Sequence, residues 1–127
     1  MLKGVIRALV GIAGGLALLG AAYFLVSPEK FALELGVGAR DTLGVATLRG
    51  DFAALFGVTG VFALAGAILN RRHALAAPAL IMAIALSGRL VNMAVLGGGP
   101  AVLKPMAVEA GLLIVFVLGR QLMPDEA

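Results

Sequence analysis

From Val5 to Val26 the chain runs for a full membrane-crossing length with a single charge, Arg7, close to its start. Three comparable apolar runs follow, over 45–69, 74–96 and 104–122. A helix needs about 20 mostly apolar residues to cross a hydrocarbon core of about 30 Å, so each run is read as one spanning helix. Composition agrees, with 61% of the 127 residues hydrophobic and 13% charged, where soluble domains carry about 25% charged residues. So few polar groups could not coat a water-facing surface. The expectation is an all-α integral membrane protein, one domain over 1–127 built as a four-helix bundle. Periodicity is helical throughout, with no alternating strand signal.

The first run has a rival reading. Lys3 and Arg7 ahead of an apolar segment, with Gly20, Ala21 and Ala22 as small residues, resemble a secretory signal. The run is longer than the apolar segment of such signals, about 7–15 residues, so a span is preferred and Arg7 is expected to snorkel toward headgroups. Beyond it, Ser27 can cap, Pro28 suits a first helical position and Gly36 can terminate, which predicts a short interfacial helix in the first outer loop. Asp41 is the expected cap of the second long helix, Asn70 to Pro78 supply a tight turn, and the glycines and prolines from Gly97 to Pro105 separate the third and fourth runs. Gly11 and Gly15, four apart, would allow close helix contact.

Several functions are excluded early. No cysteine is present, which removes disulfides and thiolate metal sites, and a net charge of +3 is too small and dispersed for a nucleic-acid face. No cofactor is implied. Lys3, Arg7, Arg71, Arg72 and Arg120 fall on one side of the expected bundle, against Lys30, Arg40 and Lys104 on the other. The positive-inside rule then puts both termini in the cytoplasm.

Heights along the helices bring polar residues together. At about 1.5 Å per residue, Arg89 lies about 22 Å from the cytoplasmic end, Glu109 about 20 Å, Asn92 and Asp51 about 27 Å and Arg49 about 30 Å. A charge facing lipid at such depth is unfavourable, so inward pairing is expected. Arg89 should be held by Glu109, with Arg49 approaching the same carboxylate and Asp51 as the alternative partner. Arg89 and Asn92, three apart, share a helix face.

These positions carry a resemblance. Arg49 and Gly50 followed by Phe52, Ala53 and Ala54, then Gly88 and Arg89, then Glu109, resemble the pattern of a family of small bacterial four-helix membrane proteins known as domain of unknown function 4345. The likeness covers roughly 28–122, with alanines at 53 and 54 where that pattern has glycines. It implies an inner-membrane four-helix fold and the Arg49, Arg89, Glu109 set, without naming a substrate.

Other motifs have plain explanations. Arg49-Gly50-Asp51 imitates an adhesion tripeptide but lies in an apolar run rather than an exposed loop. His73, the only histidine, stands beside two arginines in a turn, a poor place for a metal or a general base. Ser27 and Ser87 are the only serines, and Ser87 is about 21 Å along the helix from His73, so no hydrolytic triad forms. The glycine clusters lack the strand-turn-helix setting of a phosphate loop. The polar set Arg49, Asp51, Arg89, Asn92 and Glu109 is then either a structural clamp or a site for a small amphipath such as a lipid, fatty acid or quinone. Proton-coupled transport and an accessory role in a larger membrane complex or homo-oligomer are the remaining alternatives. Glu109 is the only plausible acid or base for an enzyme.

Overall fold

A computed structural model, which describes residues 1–125, contains five helices and no strand among the described residues. They are α1 (Leu2–Val26), α2 (Pro28–Glu34), α3 (Thr42–Ile68), α4 (Arg72–Leu96) and α5 (Pro100–Leu122). All but α2 are long and apolar enough to cross a membrane.

Local chemistry explains the boundaries. Asp41 caps α3 as expected, its Oδ1 accepting from the Gly44 amide at 2.9 Å. Pro28 occupies the first turn of α2, and Gly36 beyond its end takes φ of 77°. Asn70 makes the α3–α4 turn at φ of 54°, a left-handed conformation that asparagine tolerates better than most residues. The fourth long helix begins earlier than the expected residue 104. Pro100 starts it, because a fixed φ suits the first turn, and Pro105 inside it removes one backbone bond to Ala101.

Packing divides the helices into two pairs. Helix α1 lies along α3 and α4 lies along α5, while α1 also meets α5, and α3 meets α5 and both the first turn and the body of α4. Ile6, Val10, Ala63, Ala67, Leu75, Phe116 and Met123 form the shared core near the chain termini. A second core at the opposite end joins Phe24, Ala32, Leu48 and Ala53, with Phe31, Phe52 and Phe56 against it. Helix α4 is different: none of its most apolar window is buried.

The close α1–α3 approach runs through glycine, but not the pair expected from the sequence. A Cβ on Gly15 would meet nothing within 4 Å, and one on Gly11 would make an ordinary 3.7 Å contact with Ala67. A Cβ on Gly20 would press on the Phe56 ring, but the positions where a Cβ would meet main chain of the other helix are Gly14 and Gly60. A Cβ on Gly60 would lie 2.8 Å from the Gly14 carbonyl oxygen and 2.6 Å from Leu18 Cγ. Small residues at such a contact let two helix backbones approach closely and gain dispersion energy.

Arginines close three helix ends. The last carbonyls of an α-helix lack internal donors, and Lys or Arg side chains can supply them. Arg7 Nε donates to the Ala67 carbonyl at the end of α3, at 2.5 Å, so it is an interhelical cap rather than the free snorkel expected. Arg72 Nη1 reaches the Gln121 and Met123 carbonyls at 3.4 and 3.5 Å, longer and weaker bonds at the end of α5. The third is Arg49, which alters the candidate site.

Candidate functional site

Residues Leu48–Phe52 of α3 form a π-helical turn. Such a turn carries an extra residue, which rotates the side chains before it relative to an ideal α-helix. Arg49 therefore turns toward α1, where its Nε donates to the Leu25 carbonyl at 3.1 Å. That oxygen is in the last turn of α1 and lacks an intrahelical donor. The expected convergence of Arg49 on Glu109 does not occur. Asp51, in the same turn, is exposed and accepts no hydrogen bond among the described residues. Neither residue belongs to the site around Arg89.

The other half of the expectation is realised. Arg89 on α4 faces Glu109 on the neighbouring α5, with Nε at 2.7 Å from Oε1 and 2.9 Å from Oε2. One N–H is shared between two carboxylate oxygens. The Arg89 side chain is 41% exposed and that of Glu109 12%, so the carboxylate is enclosed while the guanidinium reaches outward. Both terminal Nη nitrogens, with four N–H donors between them, lack a protein acceptor among the described residues.

A concavity of about 380 Å³ adjoins the pair, lined by Ala85, Gly88, Arg89, Asn92 and Val102. Ala85 and Asn92, four and three residues from Arg89, share its helix face, and Gly88 beside it leaves open space where a Cβ would project. Asn92 Nδ2 donates to the Gly97 carbonyl at 3.3 Å, which holds its amide at the rim. Sequence reasoning found Arg89, Asn92 and Glu109. It did not assign Ala85, which helical periodicity from Arg89 would have identified, and it named Gly88 only through the family resemblance; Val102 lies in the part of α5 assigned to a loop.

With Arg49 elsewhere, the site holds one guanidinium and one carboxylate. Its formal charge balances, because the second guanidinium of the expected Arg49, Arg89, Glu109 set is not there. What remains is donor capacity beside a carboxylate. That combination suits a neutral acceptor better than an anion, which Glu109 would repel. Deeper along α5, Leu112 and Phe116 continue the face of Glu109 into the apolar core.

His73 also finds a structural partner, its Nε2 lying 3.3 Å from Asp125 Oδ2 beside a backbone bridge between Arg71 and Asp125. Among the described residues no group of three or more potential metal-binding His, Cys, Asp or Glu side chains occurs. Comparison of the chain with family models, curated proteins and solved structures finds no match.

Proposed function

We propose that this chain is a bacterial inner-membrane protein, four helices spanning with both termini cytoplasmic, that holds a carbonyl-bearing amphipath beside Arg89. The observation that carries the reading is the side-on pairing of Arg89, which commits Nε to Glu109 and leaves the Nη donors beside a concavity of mixed lining, with Asn92 at its polar side and Ala85, Gly88 and Val102 at its apolar side. In a low-dielectric setting an unmet donor is unfavourable, and a quinone or ester carbonyl would satisfy it without adding charge. A volume of about 380 Å³ admits a headgroup or ring, with the hydrophobic tail left in lipid. The resemblance to domain of unknown function 4345 is compatible with this reading through Arg89 and Glu109, whereas Arg49 serves α1.

Native mass spectrometry in mild detergent tests it with a decyl-chain quinone and decanoate as paired probes. Quinone retention is expected to exceed that of the carboxylate, and Arg89→Met should reduce it about tenfold, as loss of a charge-assisted hydrogen bond implies. Gly88→Leu fills the concavity while leaving the pair in place and should do the same. Retention unchanged in both variants would overturn the proposal.

A second reading is favoured by α4, whose most apolar window holds no fully buried residue and exposes Leu80, Ile84, Val91 and Val95. Such a helix contacts lipid or another protein, which supports assembly into a homo-oligomer or a larger membrane complex. Masses of protein-only oligomers in the same spectra separate this reading from the first.

The orientation rests on the basic residues near the termini and the α3–α4 turn. Cysteines placed singly at exposed Gly38 and Leu69 in this cysteine-free chain report it. An impermeant maleimide should label Gly38→Cys in intact cells and Leu69→Cys only after permeabilisation; the reverse order would invert the topology.

A further inference from the structure

At the end of the molecule away from the chain termini, a second concavity of about 430 Å³ opens between α1 and α2, lined by Tyr23, Lys30, Phe31, Leu33 and Glu34. Its aromatic wall is held in place from behind. The Tyr23 and Phe31 ring centroids are 5.3 Å apart, and Phe31 packs on buried Phe24 at 4.7 Å and on Phe56 at 5.7 Å.

The charged groups at this concavity are both exposed and do not pair with each other. Lys30 and Glu34 are four apart on one helical face, a spacing at which opposite charges commonly pair. Among the described residues the ion pairs are His73–Asp125 and Arg89–Glu109, so Lys30 and Glu34 remain separate, each bordering the same space. A cation and an anion are thus presented together beside aromatic rings. Tyr23 also begins an exposed apolar stripe on α1: Leu19, Leu16 and Ile12 follow at helical spacing and are 67%, 63% and 60% exposed.

The geometry points to a binding site for a phospholipid with a phosphoethanolamine headgroup. Lys30 would take the phosphate, Glu34 would accept from the primary ammonium, and the Tyr23 and Phe31 rings would face the cationic end. The two-carbon bridge between phosphate and ammonium spans a distance similar to that between side chains four apart on a helix. An acyl chain would then follow the stripe from Leu19 to Ile12. An anionic headgroup satisfies Lys30 but meets repulsion at Glu34; a choline headgroup has no N–H to donate to it.

The test is lipid retention by the whole chain, measured by native mass spectrometry from equimolar mixtures of phosphatidylethanolamine with phosphatidylglycerol or phosphatidylcholine. Phosphatidylethanolamine should be preferred over both. Glu34→Gln should reduce its preference over phosphatidylglycerol by about fivefold, the scale of an exposed charge pair. Lys30→Gln should lower retention of both phosphate-bearing lipids in that mixture. Lys30 and Glu34 are exposed, so both variants should fold, and an unchanged detergent melting temperature verifies this. Arg89→Met should leave the headgroup preference intact, which separates this site from the one beside Glu109. Phosphatidylcholine bound as well as phosphatidylethanolamine, or a preference indifferent to both α2 substitutions, would overturn the assignment.

Discussion

Replacing Gly60 with alanine should lower stability in detergent by about 2 kcal/mol, and replacing it with leucine by more than about 3 kcal/mol, although alanine and leucine are both better helix formers than glycine. The sign follows from what surrounds the site. A glycine inside a helix costs about 0.5–1 kcal/mol relative to alanine, so an unobstructed substitution would stabilise. At Gly60 the new Cβ would stand 2.8 Å from the Gly14 carbonyl oxygen and 2.6 Å from Leu18 Cγ. Leu18 can rotate away. The Gly14 oxygen is main chain within α1 and cannot move without displacing the helix, so steric cost outweighs propensity. Gly15→Ala is the internal control, since nothing lies within 4 Å of the position its Cβ would take. It should be neutral or slightly stabilising. Thermal melts of the three variants in one detergent decide the matter: equal responses at positions 15 and 60 would mean that α1 and α3 are not in close backbone contact.

The difference between Gly15 and Gly14 shows how far periodicity reaches. The cluster Gly11, Gly14, Gly15 marks a small face on α1, but which member points at the neighbour depends on rotation about the helix axis. Sequence spacing does not set that rotation. The long helices were legible because apolar length is a one-dimensional property, and the pairing of Arg89 with Glu109 was legible because rise per residue gives height on adjacent helices. Arg49 lay beyond this reasoning for two reasons. The π-helical turn at Leu48–Phe52 alters its azimuth, and the Leu25 carbonyl that receives it is a backbone acceptor, invisible to a search for opposite charges. Arg7 at Ala67 was missed for the second reason alone. Asp51 failed with Arg49, being on the same turn and needing no partner where it is exposed. The start of α5 at Pro100 was hidden by Gly97, Gly98 and Gly99, whose composition suggested a longer break than the chain makes.

Glu109→Gln and Arg89→Met should each destabilise the protein by about 2 kcal/mol, while the double variant loses clearly less than the sum. Removing one member of a fully buried pair costs about 3–5 kcal/mol in soluble proteins, because the survivor is left charged and uncompensated. Here the Arg89 side chain is 41% exposed, which relieves part of that penalty, and interhelical polar contacts in membranes have measured weaker than their low dielectric suggests. Both considerations lower the estimate. The asymmetry of burial orders the two single variants: Glu109, 12% exposed, leaves an outward-reaching guanidinium when neutralised, whereas Arg89→Met leaves an enclosed carboxylate without its donor. Arg89→Met should therefore be the more damaging. A structural clamp and a ligand site share this outcome, but they part when the quinone probe is added. If Arg89 offers its Nη donors to a carbonyl, the probe should raise the melting temperature of the native chain and leave that of Arg89→Met unchanged, since ligand stabilises only a form that binds it. Additive losses in the double variant would show that Arg89 and Glu109 act independently, and that the short Nε to carboxylate distances carry no energetic coupling.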